Sequence, residues 1–213
     1  MRRINWRYAI GELLIVIIGI TVAFALNNWA GNIKDRDLEK AYLQSIKTDL
    51  QSDIQQLDSN IAELNRRMGY LQKLRPHLYT KLSNRDTMAL KMFAVTDPVG
   101  FHPQENTIQS MQFSGDLKLI KDLDLKNDII AHYSVYDKVE IEIERHVYFA
   151  KDYLADYYMH QIDYTKFGTE DGYSFIEDPY FHNLVYALGG IYKTERDAQL
   201  SALESAKKMF EKL

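Results

Sequence analysis

Residues 8–30 read YAIGELLIVIIGITVAFALNNWA, and between Leu13 and Leu26 only Gly19 and Thr21 interrupt the apolar side chains. With Tyr8 to Gly11 added, the run reaches the roughly 20 residues that a helix needs to cross a hydrocarbon core about 30 Å thick. A single segment has no alternative there, because only a helix satisfies its own backbone polar groups without water. The overall composition, 46% hydrophobic and 26% charged, would suit one soluble domain if the apolar residues were evenly spread. Their clustering argues otherwise. Both tryptophans, Trp6 and Trp29, flank the run, and Tyr8 joins the first. Amphipathic rings settle at the two water interfaces of a bilayer. A buried core helix gives no reason for an indole at each end.

A cleaved secretory signal is the rival reading, since Arg2, Arg3 and Arg7 form a basic start and Ala23-Phe24-Ala25 fits a small-x-small cleavage pattern. The length of the run and the carboxylate of Glu12 favour an uncleaved signal anchor. Basic residues near the ends of the span set its orientation. Three arginines crowd the short N-terminal tail, whereas Lys34, Arg36 and Lys40 alternate with Asp35, Asp37 and Glu39 on the other side. The expectation is a cytoplasmic tail over 1–7, a transmembrane helix over 8–29 and an extracytoplasmic remainder. The chain has no cysteine, so no disulfide supports that remainder.

Glu12 is the anomaly at the mouth of the run. At 100° per residue, Gly19, Ala23 and Leu26 fall within about 40° of Glu12, and Gly19-x-x-x-Ala23 permits close approach of another helix backbone. Two readings stand: a carboxylate snorkelling to the interface from a simple anchor, or a helix-contact face on which Glu12 meets a neighbouring subunit.

Beyond the membrane, Leu43, Ile46, Leu50, Ile54, Leu57, Ile61, Leu64, Met68 and Leu71 step by 3, 4, 4, 3, 4, 3, 4 and 3. That is one eleven-residue repeat followed by heptads. No proline intervenes before Pro76, so one helix is expected from about Tyr8 to Arg75, on the order of 100 Å long. Lys47, Asp49, Asp53, Asp58, Glu63 and Arg66 read as its solvated faces. The seam needs cover, from another subunit or from later helices of the chain. Thr87 to Ala94 suits a short helix; Asp97, Pro98, Gly100 and Pro103 mark an elbow. Pro103 reads as a first-turn proline for a helix through Phe113, with Gly115 as its C-cap. A second long pattern runs from Leu123 to Ile162, with Leu125, Ile129, Tyr133, Tyr136, Ile143, Val147, Ala150, Leu154 and Tyr157 on one side. Gly168 and Gly172 fall in a polar loop, and Asp178-Pro179 starts a last helix to the C-terminus. The expected fold is all-α: an antiparallel bundle on a membrane-anchored stalk, divided into a stalk helix over 30–75, an elbow with short helices over 76–122 and two bundle helices over 123–213.

YAIGELLIVIIGITVAFALNNW, with the heptads that follow, resembles the start of a family of single-span bacterial membrane proteins of unknown function, whose pattern runs Y-x-I-G-E, an apolar stretch with I-G-I, then N-N-W. SGDLKLIKDLDLKNDIIAHYSVYD, from Ser114 to Asp137, resembles the same family's S-G-x-L-x-L-I…L…I…Y-Y pattern, with Ser134 at the second tyrosine. The resemblance covers about the first fifth of the chain and this middle segment. It implies an N-terminal anchor and a helical extracytoplasmic domain, and no activity; the expected location is the bacterial inner membrane, with that domain periplasmic or otherwise extracytoplasmic.

No catalytic signature stands out. His77, His102, His132, His146, His160 and His182 include no H-E-x-x-H and no cysteine partners. His132, His146 and His160 recur every 14 residues and fall near one helix face, with Asp156 a turn from His160; the reading is ordinary bundle-edge histidines and no metal site. The acidic loop from Asp163 to Glu177 does not fit calcium-loop spacing, and there is no nucleophile elbow or phosphate loop. A net charge of −4 without a basic patch argues against nucleic acid. No cofactor is expected. Of the fifteen tyrosines, Tyr148, Tyr153, Tyr157, Tyr158, Tyr164, Tyr173, Tyr180, Tyr186 and Tyr192 fall late, and packing between long helices accounts for them better than a partner face. Two functions remain in play. The first is a structural or accessory subunit, associating with itself or with a larger membrane complex. The second is a ligand-sensing helical domain, which with so short a cytoplasmic tail would signal through a partner membrane protein. An enzyme is not expected.

Overall fold

A computed structural model describes residues 6–79, 92, 96–166 and 170–213. Helix α1 runs unbroken from Trp6 to Leu74, 69 residues, and at 1.5 Å per residue it is about 100 Å long. A 3₁₀ turn over Arg75–Tyr79 ends it, with Pro76 inside that turn. The other helices are α2, Asn106–Ser114; α3, Leu123–Phe149; α4, Asp156–Gln161; and α5, Pro179–Lys212. Short 3₁₀ turns fill Asp116–Leu119, Tyr164–Lys166 and Glu170–Glu177, and there is no strand among the described residues.

Local signals set several boundaries. Asp122 caps α3 by accepting from the backbone N–H of Asp124 and Leu125, and Asp178 caps α5 by accepting from Tyr180 with Pro179 in the first turn. Gly115 closes α2 in the left-handed region at φ 76°, where glycine alone carries no Cβ penalty. The expected first-turn role of Pro103 fails. Helix α2 starts only at Asn106, because residues 101–105 stay outside the helix with the N–H groups of His102 and Gln104 donated to side chains on α1. The long pattern to Ile162 is helical through Gln161 but contains a π turn over Ala150–Ala155. In α3 Val147 is exposed, and His132, Val139 and His146 are buried beside Ile129, Tyr133 and Tyr136. Thr87 to Ala94 lies outside the described residues apart from Met92, which is buried, and Gly168 lies outside them too; Gly172 falls in the 3₁₀ turn.

The chain goes up, down, up and down. Lys47 lies 4.7 Å from the Phe210 ring, Lys207 pairs with Asp58, and Arg75 lies over Tyr186, so α5 runs antiparallel to α1. Asp128 pairs with Lys212 and His146 with Glu195, so α3 is antiparallel to α5. The first descent is mostly a strap: residues 97, 100, 102, 104, 116 and 121 hydrogen-bond to α1 at 67, 60, 56, 53, 42 and 39 in turn.

The heptad seam is covered from within the chain. Ile46, Leu50, Leu57, Ile61, Leu64 and Leu71 are buried, and Leu43, Ile54 and Met68 pack at its margin. Two apolar clusters result. The proximal one, nearer the apolar run of α1, joins Ile46 to Ile61 with Ile129 to Val139 and Ala202 to Met209; the distal one joins Leu64 to Leu78 with Leu154 to Ile162 and Phe181 to Tyr192. His146, Glu195 and Gln199, all buried, lie in sequence between the segments of the two clusters.

Candidate functional site

Below the bundle, α1 stands alone. Every large apolar side chain from Ile10 to Leu26 is at least 50% exposed, Trp29 is 65% exposed, and Thr21 returns its hydroxyl to the Ile17 carbonyl at 2.8 Å. This is one helix near the N-terminus long and apolar enough to cross a membrane. Trp6 and Tyr8 fall in its first turn, about 30–35 Å along the axis from Trp29; their side chains lie outside the described set. Glu12, Gly19, Ala23 and Leu26 are all exposed on one stripe, and a Cβ built on Gly19 meets nothing within 4 Å. No element of the described chain packs there. In water, eleven such side chains would forfeit on the order of 20 kcal/mol of burial, more than the 5–15 kcal/mol by which a typical domain is stable.

Inside the bundle the polar groups do a different task. The strap needs partners for its backbone, and α1 supplies them from one polar stripe. Asp53 Oδ1 accepts from Gln104 N at 2.8 Å, Gln56 Oε1 accepts from His102 N at 2.9 Å, Asn60 Nδ2 donates to Gly100 O at 2.9 Å, and Arg67 donates to Asp97 O. Asp53, read from the sequence as solvated, is 1% exposed. Burial pushes its carboxyl above the ordinary value, against the hydrogen bonds from Gln104 and Tyr136. Tyr136 donates to Asp53 Oδ2 at 3.0 Å and therefore accepts from His132 Nε2, also at 3.0 Å. That tautomer leaves His132 Nδ1 to accept from Ser205 Oγ at 2.8 Å. Burial drives the His132 imidazole down to about 4, so it is neutral near pH 7.

One layer higher, His146 Nε2 lies 3.0 Å from the Thr96 carbonyl, which can only accept, so this nitrogen carries a proton. His146 Nδ1 lies 2.7 Å from Glu195 Oε2, and both side chains are 0% exposed. Glu195 Oε1 also accepts from Val99 N at 3.2 Å, and Gln199 Nε2 donates to Val99 O at 3.3 Å. The strap is thus gripped from α1, α3 and α5.

The family of unknown function DUF6090 matches residues 12–184. The chain belongs to that family. Among curated proteins and solved structures nothing matches. The DUF6090 segment takes in most of the apolar run from Glu12 onward, the strap and α3, including His132 and His146, and it ends at Leu184 in α5. It bridges the stretch between the two segments that carry the sequence resemblance, and it starts just after Trp6 and Tyr8.

Histidines 14 apart do not form one site. His132 and His146 are core residues rather than bundle-edge ones, each satisfied as described, and His160 is exposed beside Asp156 at 3.2 Å. No cluster of metal-ligating side chains occurs among the described residues. Of the late tyrosines, Tyr157, Tyr158 and Tyr192 are buried, whereas Tyr148, Tyr153, Tyr164, Tyr180 and Tyr186 are 40–58% exposed. The polar grip at 53, 56, 60 and 67 escaped the sequence reading, although it repeats with the same 3, 4 and 7 spacing as the seam beside it.

Proposed function

We propose that this DUF6090 protein is a single-span structural or accessory subunit of the bacterial inner membrane, with a cytoplasmic N-terminus and a periplasmic bundle. It acts by associating with a membrane partner, another copy or a larger complex, and carries out no catalysis of its own. One observation carries the reading: the bundle covers the heptad seam itself, while the stripe Glu12, Gly19, Ala23 and Leu26 has no partner among the described residues. Association through the seam would require the bundle to open. Association through the stripe requires nothing to move, since Gly19 and Ala23 leave room for a second backbone. The carboxylate of Glu12 then meets a basic or hydrogen-bonding group, such as Arg7 of another copy, and fixes the register.

Crosslinking in native membranes tests this, with total protein level as control and identification of whatever is captured. Gly19→Leu separates the backbones and is expected to abolish the crosslinked species, while Glu12→Gln weakens it modestly. Unchanged crosslinking in both variants would reduce the segment to a simple anchor. A reporter active only in the cytoplasm, fused after Leu213, is expected to be silent.

A further inference from the structure

The end of α1 with its closing 3₁₀ turn and three turns of α5 face each other across a groove of about 600 Å³ in the distal half of the bundle. Met68 on α1 and Arg75 at the start of the 3₁₀ turn face it; on α5, Tyr186, Gly189, Lys193 and Arg196 do. Three of the lining side chains are cationic and none is acidic, in a chain whose net charge is −4. The volume falls in the range of small-ligand sites, roughly 300–1,000 Å³.

Arg75 makes this more than a patch of surface charge. A Cβ built on Gly189 would lie 2.3 Å from Arg75 Nη2, so the guanidinium lies directly against this glycine and a side chain there would push it aside. Its Cζ sits over the Tyr186 ring, 4.5 Å from the centroid, and its Nε is shielded from solvent with no hydrogen-bond partner. A guanidinium offers paired N–H donors that match the two oxygens of a carboxylate or phosphate. Lys193 and Arg196 stand one and two turns along α5 from Gly189, which spreads the cations over about 10 Å. Arg196 is held to Asp197 at 2.7 Å and reaches the Met68 sulfur at 3.8 Å. Lys193 is exposed.

We infer that this groove is a binding site for a small organic polyanion bearing two or more carboxylate or phosphate groups, with Arg75 as the planar anchor and Lys193 and Arg196 as the second point of attachment. The groove lies some 40 residues of continuous helix beyond Trp29, about 60 Å, many screening lengths from the headgroups. Its ligand is therefore a soluble anion rather than a lipid. The choice of a soluble anion over a lipid rests on the proposed membrane span, whereas binding at the groove is tested separately from association.

Calorimetric titration of the full chain in a non-ionic detergent at 150 mM NaCl, with citrate and with pyrophosphate as probes, tests the site. At least one probe is expected to bind saturably at one per chain, and the one that binds tells carboxylate from phosphate chemistry. Arg75→Gln and Lys193→Gln should each weaken it about tenfold or more. Lys118→Gln, at the opposite end of the bundle, should leave affinity unchanged. Lys193 is exposed, so Lys193→Gln keeps the parent's thermal transition and isolates binding from folding. Absence of saturable binding with both probes, or binding that Arg75→Gln and Lys193→Gln leave intact, overturns the assignment.

Discussion

The layer between the two apolar clusters gives the sharpest test of the fold. His146 and Glu195 are fully buried and 2.7 Å apart, and each also holds a backbone group of the strap, Thr96 O and Val99 N. His146→Leu leaves the carboxylate with only the Val99 N–H and the long 3.5 Å contact from Gln199 Nε2. Stranding a buried hydrogen-bonding group costs about 1–3 kcal/mol, more for one that carries charge, because the survivor remains desolvated. Glu195→Leu orphans His146 Nδ1 and the Val99 N–H, two polar groups at about 1–3 kcal/mol each. In the double variant neither side chain is stranded, and only the backbone groups of Val99 and Thr96 lose partners. It should therefore cost at least about 2 kcal/mol less than the sum of the singles. For a domain of this size each kcal/mol moves the midpoint by roughly 2–4 °C, so a loss of about 2–6 kcal/mol lowers a single variant by about 4–24 °C. Thermal unfolding of the full chain in detergent, followed by circular dichroism, reads all three. Single variants within 2 °C of the parent, or costs that simply add, would show that the pair is neither buried nor coupled.

Two further outcomes follow from the interior. Leu57 is 0% exposed in the proximal cluster, so Leu57→Asp buries an unpaired charge and should cost several kcal/mol; an unchanged thermal transition would mean the seam is not a buried contact. For His132, the native pKa of about 4 lies below its ordinary 6.5. The unfolded chain therefore takes up a proton that the bundle refuses between those values, so stability is full above pH 6.5 and falls by about 3 kcal/mol as pH drops toward 4. The raised Asp53 carboxyl acts in the opposite sense just above 3.8, and so the test is the difference: His132→Gln should flatten the fall in urea midpoint between pH 7 and 4.5, and an unaltered slope refutes the assignment.

How much of this was legible depended on periodicity. The seam from Leu43 to Leu71 could be read because nine apolar residues repeat every three or four positions, a pattern with one physical use. Asp178-Pro179 could be read because a side-chain acceptor before a proline fits only a helix start. What closes the seam was not legible: a strap without regular structure has no period, and its hydrogen bonds go to α1 side chains about 30 to 50 positions away. For the same reason Asp53 reads as surface in one dimension, since its burial is created by Tyr136 and Gln104. The π turn at Ala150–Ala155 shifts the facing of α3 past its end, a change that a fixed 100° step does not register. The stripe through Glu12 was legible as a pattern, but a partner outside the chain leaves no trace within it.

The link between that stripe and the bundle is the helix itself. From Trp29 to Ala41 the side chains of α1 are largely exposed, Glu39 alone being half-buried, and the segment includes Gly31. Glycine costs about 1 kcal/mol of helix stability relative to alanine, yet α1 passes through without a break. If the segment is rigid, the bundle and the apolar N-terminal part of α1 move as one body, and whatever binds at either end reorients the other. A chain without cysteine allows this to be measured directly. Nitroxide labels at Asn28→Cys and Gln51→Cys, both exposed, span 23 residues of α1, and at 1.5 Å per residue their backbones should lie about 35 Å apart with a narrow distribution in pulsed electron spin resonance. Gly31→Pro, which removes a backbone donor and clashes with the preceding turn, should shorten and broaden that distribution. A broad distribution in the parent chain would mean that the stalk is a hinge, and the membrane stripe and the bundle would then have to be treated as independent bodies.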